Sequence, residues 1–140
     1  MADDVASEVF ARAVALWPRF DPDRASLRAW LFGIAANICR EYDRSRRRRT
    51  AVITRLGPTA STSVPDSHPI DDLDLVVTML AKLRAPTRET LLLVAGFELS
   101  YEEAARALGI PVGTVASRVA HGRRRLTRLL GQDQSERTKP

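Results

Sequence analysis

Cysteine is almost absent from this sequence. Cys39 stands alone, which excludes a disulfide framework and any cysteine-based zinc site. Only two histidines, His68 and His121, accompany it, so neither a catalytic metal centre nor another cofactor is expected. No apolar run approaches the roughly 18 residues of a membrane span, the longest being of five residues, such as Leu91 to Ala95. No basic segment leading into an apolar one opens the chain, so no secretory signal is expected and the cytoplasm is the default compartment. Lysine is scarce too: of 22 Lys+Arg residues only Lys82 and Lys139 are lysine. The rest is ordinary in bulk. With 140 residues, 44% hydrophobic and 28% charged, the chain fits one domain, or two small helical ones of about 50–60 residues.

The charge balance is the first positive clue. The net charge is +5 and nearly all the bases are arginine, whose planar fork suits phosphates and guanine edges. A GC-rich genome would enrich arginine as well, so distribution matters more than total. Arg44, Arg46, Arg47, Arg48, Arg49 and Arg55 form one cluster with no acid among them. Arg118, Arg123, Arg124, Arg125 and Arg128 form a second. Acids collect elsewhere, at Asp3, Asp4 and Glu8, at Asp71, Asp72 and Asp74, and at Glu98, Glu102 and Glu103. Two separated basic patches suggest two contacts with one polyanion, against the plainer reading of two solvated helix faces.

Every periodic segment reads as helix and none alternates at period two, so the fold class is all-α: two small helical domains joined by a flexible linker. Val5, Val9, Ala13, Leu16 and Trp17 make one apolar stripe, which Pro18 and the Asp21-Pro22 pair end. Ser26 is the expected N-cap of a second helix, with Leu27, Trp30, Leu31, Ile34, Ile38 and Tyr42 at spacings of three and four. That helix runs into the arginine cluster. Residues 1–49 form the first domain, and 50–70, with Gly57-Pro58, Pro65 and Pro69, the linker. The second domain covers 71–131 and opens with Leu73, Val76, Leu80 and Leu83; Pro86 sits in a helix first turn. Residues 132–140 read as a frayed polar tail.

The segment from Leu99 to Leu130 is the most specific. Ser100 and Glu103 are spaced as a capping box, and Ala104, Ala105 and Leu108 give a compact inner face. Gly109 supplies a left-handed turn and Pro111 forbids continuation of the first helix. The next helix carries Val115, Val119, Leu126 and Leu129 or Leu130 inward, with Thr114, Ser117, Arg118, His121, Arg124, Arg125 and Arg128 on its other face. This is a helix-turn-helix with a basic second helix, the arrangement that enters a major groove.

The stretch Leu99-Ser-Tyr-Glu-Glu-Ala-Ala to Leu108-Gly-Ile-Pro-Val-Gly-Thr-Val-Ala-Ser-Arg, with its trailing arginines, resembles region 4 of the extracytoplasmic-function sigma factors of bacterial RNA polymerase. Ser7-Glu8-Val9-Phe10, Ala15-Leu16-Trp17, and the run from Ser26 to Asn37 with the arginines after it resemble region 2. The resemblance implies a promoter-specificity subunit whose partners are core RNA polymerase, promoter DNA and an anti-sigma factor. It implies that Asp4, Glu8 and Arg12 contact polymerase. It further implies that Arg28, Asn37, Arg40, Arg44 and Arg47 take the −10 element as it melts, while the second-helix face reads the −35 duplex. Trp30, Phe32 and Tyr42 interleave with these cations as candidate base platforms, although Trp30 lies on the stripe of Leu27 and Ile34 and reads as core.

Three features depart from the family. The chain opens where region 2 is already under way, so its first domain is expected to be loosely packed or to self-associate. Ser7 stands where the family shows Gln. Ala116 and Ala120 thin the base-edge readout of the recognition helix. The competing function is a free-standing helix-turn-helix regulator whose N-terminal half is a dimerisation or ligand module. An enzyme ranks last: no histidine lies near a nucleophile and an acid, and no Gly-rich phosphate loop exists.

Overall fold

A computed structural model of the chain describes residues 2–56 and 72–139. These are helical with no strand among them, and the chain divides into two compact units, Met1–Ser67 and His68–Pro140.

In the first unit, α1 (Ala2–Leu16) gives way to a 3-10 turn, Trp17–Arg19, at Pro18, and α2 (Leu27–Leu56) returns along it. The Asp21 carboxylate accepts from the Asp23 amide at 2.9 Å and shapes the connection. Ser26 caps α2 as expected, its hydroxyl accepting from the Ala29 amide at 3.1 Å. The core is small: Ala13, Ile34 and Ile38 are buried, with Val5, Val9, Leu16, Trp30 and Leu31 packed against them. Trp30 therefore belongs to the packing, and it joins Trp17 and Phe20 in an aromatic cluster with centroids 5.0–6.1 Å apart. The ends of the expected stripes, Trp17, Leu27 and Tyr42, are exposed.

The end of the first domain's long helix differs from expectation. Helix α2 continues through Thr50 to Leu56, past the expected domain edge at Arg49, because nothing before Gly57-Pro58 breaks it. Val52, Ile53 and Thr54 are poor helix starters, yet extending an existing helix costs little. The linker reading of residues 57–70 lies outside the described residues.

The second unit holds α3 (Asp72–Ala81), α4 (Ala85–Leu91), α5 (Tyr101–Leu108) and α6 (Val112–Arg137). Pro86 occupies the first turn of α4, as expected. A π turn, Leu92–Gly96, follows, with the Phe97 amide donating to Leu92 O at 2.9 Å; the sequence carries no sign of it. The face of α3 also differs. Met79, and Leu83 just beyond the helix, are buried, while Leu73 and Val76 are exposed. Apolar residues on several sides of α3 leave its periodicity ambiguous. Nor does α6 fray at Gly131. The glycine costs about 1 kcal/mol relative to alanine but does not stop a helix already formed, which runs to Arg137.

The turn between α5 and α6 is built as its residues dictate. Ser100 accepts from the Glu103 amide and Glu103 from the Ser100 amide, each at 3.1 Å. Gly109 is left-handed at φ 66°, and the Ile110 amide returns to Ala105 O at 3.0 Å. Ser100→Ala should cost this unit about 1 kcal/mol, lowering its melting temperature by roughly 4–8 °C in a thermal scan.

Candidate nucleic-acid interface

Helix α6 is fixed from behind. Val115 and Val119 are fully buried, and Leu129 buried, leaving the opposite face to solvent. His121, Arg124, Arg125 and Arg128 are exposed, Ser117 is exposed, and Thr114 and Arg118 are half-buried. All seven expected residues thus lie along one side at spacings of three and four. The Ser117 hydroxyl donates to Gly113 O at 3.0 Å, leaving its lone pairs outward. From Val112 to Gln132 the helix has no acid to compete with a phosphate. Gly122, absent from the expected site, is buried where α6 meets α4. A Cβ there would stand 2.4 Å from Leu91 Cδ1 and 3.0 Å from Thr87 Cγ2.

In the first unit, residues 41–53 of α2 are all exposed, so half the helix is a solvated cationic rod. Asn37, Arg40, Arg44 and Arg47 share one face, and Arg40 donates to Asn37 Oδ1 at 3.4 Å. Arg28 does not join them. It precedes Asn37 by about two and a half turns, projects from the opposite side and lines an apolar groove with Phe10, Leu31 and Phe32. Tyr42 also stands off that face, two residues after Arg40.

The expected polymerase set is rearranged. Asp4 is exposed on α1, whereas Glu8 and Arg12 turn to each other, Arg12 Nε to Glu8 Oε1 at 2.9 Å. The Arg12 fork then crosses to Glu41 of α2, at 3.0 Å and 2.7 Å. Hydrogen bonding from Arg12 holds the Glu41 carboxyl below the usual carboxylate range, and the same bonds raise the Arg12 pKa. The pair's contribution to stability is therefore full above the ordinary carboxylate range and is lost as pH falls through the lowered value. Glu41 is invisible to local pattern, because its partner lies on another helix. Among the described residues no cluster of His, Cys, Asp and Glu could hold a metal, and no helix is long and apolar enough to cross a membrane.

A helix-turn-helix with a cationic outer face, preceded in the chain by a helical hairpin with a second cationic face, defines a two-domain helical nucleic-acid-binding protein. Residues 1–49 match the family model of Sigma-70 region 2, and residues 73–126 that of Sigma-70 region 4. The chain is 41% identical to the ECF RNA polymerase sigma factor SigC of Mycobacterium tuberculosis over 124 residues, 87% of this chain and 66% of that protein. With EcfG of Rhodopseudomonas palustris, another ECF RNA polymerase sigma factor, identity is 36% over 135 residues, 96% of this chain and 74% of the relative. Solved structures are similar too. The sigma factor RpoE of Bartonella quintana, in complex with the anti-sigma factor NepR, gives a TM-score of 0.75 at 31% identity, covering 93% of this chain and 81% of that one. CnrH, in complex with the cytosolic domain of CnrY, gives 0.68 at 34%, covering 94% and 71%. The chain belongs to the ECF sigma factors of RNA polymerase.

Proposed function

We propose that this chain is a promoter-specificity subunit that binds core RNA polymerase and directs initiation, α6 reading the −35 duplex and α2 the melting −10 element. The observation that carries it is the acid-free outer face of α6 held on a capped helix-turn-helix. Thr114, Ser117, Arg118 and His121 supply base-edge and backbone contacts, and Arg124, Arg125 and Arg128 continue along the phosphates. On α2, Asn37, Arg40, Arg44 and Arg47 receive the single strand; Arg28, on the opposite side, is outside this set. The exposed Asp4 side of α1 is the proposed polymerase contact. The role requires no catalysis by this chain and places it in the cytoplasm with the polymerase. The anti-sigma factor NepR, bound to the similar RpoE, and the cytosolic domain of CnrY, bound to the similar CnrH, support an anti-sigma protein as its proposed inhibitor. Region 2 and region 4 matches in that order disfavour a free-standing regulator, whose N-terminal half would have no use for a single-strand face.

The decisive test is to add the chain to core polymerase with a promoter library and sequence the transcripts; no specific start sites would refute the proposal. Duplex binding supplies a second. Arg124→Ala with Arg128→Ala should weaken binding at least about tenfold and flatten the log–log salt slope by nearly 2, at about 0.9 per phosphate contact. An unchanged slope in anisotropy titrations would remove α6 from the phosphates.

A further inference from the structure

Glu41 is one of two acids, with Asp43, on a helix half otherwise given to cations, and it is the one that faces α1. It lies next to Arg40 and three positions before Arg44, within reach of the latter, whose positive charge helps lower its pKa. Left alone, that carboxylate would draw Arg44 onto itself and repel an approaching phosphate. Arg12 prevents both. Its two terminal nitrogens meet the two oxygens of Glu41 at 3.0 Å and 2.7 Å, a bidentate pair that occupies the carboxylate and offsets its charge. Glu8 holds the guanidinium from the other side through Nε at 2.9 Å, fixing the plane so that the fork points across to α2.

We infer that Arg12 is a positioning residue for the nucleic-acid face of α2: by shielding Glu41 from the neighbouring helix, it keeps Arg44 available to the phosphates of single-stranded DNA. The inference rests on the proposed role of that face. It assigns Arg12 work through Glu41 and not through direct contact with polymerase or DNA. The alternative is a plain staple between α1 and α2, and the two make opposite demands on variants. If the pair is a staple, Arg12→Ala and Glu41→Gln break the same bond, harm binding alike, and do not rescue each other. If Arg12 shields, only Arg12→Ala leaves the Glu41 carboxylate without its partner, and removing that carboxylate repairs the loss.

The test is fluorescence anisotropy of a labelled single-stranded DNA oligonucleotide with the full chain, across a salt series. Arg12→Ala should bind about three- to tenfold more weakly, with a salt slope shallower by about 1. Glu41→Gln should bind no more weakly than the parent, and the double variant should return to within about twofold of it. Equal losses in all three would overturn the inference in favour of the staple. Glu41→Gln carries the test by itself if Arg12→Ala does not fold, since weaker binding by that variant contradicts shielding. Arg44→Ala with Arg47→Ala keeps the two readings apart. Insensitivity to that change overturns the face and the inference with it, whereas sensitivity without rescue by Glu41→Gln overturns the inference alone.

Discussion

Gly122→Val should unfold the second unit and abolish duplex binding, although the residue lies among arginines and touches no DNA. A Cβ at Gly122 would stand 2.4 Å from Leu91 Cδ1 and 3.0 Å from both Leu91 Cγ and Thr87 Cγ2. Leu91 and Thr87 are themselves buried, so neither can swing clear into solvent. Forcing extra carbon into a packed site costs about 1–3 kcal/mol, and valine adds two methyls beyond the first. A domain of this size has a total stability of only about 4–10 kcal/mol. Alanine is a milder probe, because it regains about 1 kcal/mol of helix propensity over glycine. Gly122→Ala should therefore destabilise by up to about 2 kcal/mol. Combined with Leu91→Ala it should cost clearly less than the sum of the two, since the shortened side chain vacates the space. Thermal melts by circular dichroism decide this. Parent-like melting of Gly122→Val would mean that α6 does not rest on α4 at that point.

Gly122 and Glu41 mark what the chain does not disclose locally. The helix-turn-helix was legible because each of its signals is complete within a few residues: Ser100 with Glu103, Gly109 after Leu108, Pro111 before Val112. The inner and outer faces of α6 were legible too, since Val115 and Val119 are separated from the basic residues by helical spacing alone. Gly122 reads as filler until Leu91 and Thr87 of α4 are seen beneath it. Glu41 reads no differently from the nearby acid Asp43 until Arg12, 29 positions earlier, is brought across. The family resemblance groups Arg28 with Asn37, and helical phase separates them. Helix ends were misplaced at Thr50 and Gly131 for a related reason: weak helix formers fail to begin a helix more readily than they end one.

Hydrogen exchange on the full chain should find α1 the least protected helix, its slowest amides exchanging about a hundredfold faster than those at the centre of α6. The cause is an unequal core. Fifteen hydrophobic residues are buried among the described ones, and only Ala13, Ala29, Ile34 and Ile38 belong to the first unit, which leaves eleven to the second. Fully burying a large aliphatic side chain contributes roughly 1.5–3 kcal/mol, and two of those four are alanines, which contribute less. Ordering each residue of α1 and α2 costs about 1–2 kcal/mol of backbone entropy in return. Much of the apolar surface that would offset this faces outward: Phe10 is 66% exposed, Val14 77%, Trp17 56% and Leu27 46%. These residues line two adjoining grooves between α1 and α2, so the hairpin is closed on one side only. Opening α1 away from α2 therefore sacrifices little packing beyond Ala13 and its neighbours, whereas releasing α6 exposes Val115, Val119 and Leu129 together. Equal protection in α1 and α6 would show that the four buried residues suffice, and the exposed face would then need no cover to hold the first unit together.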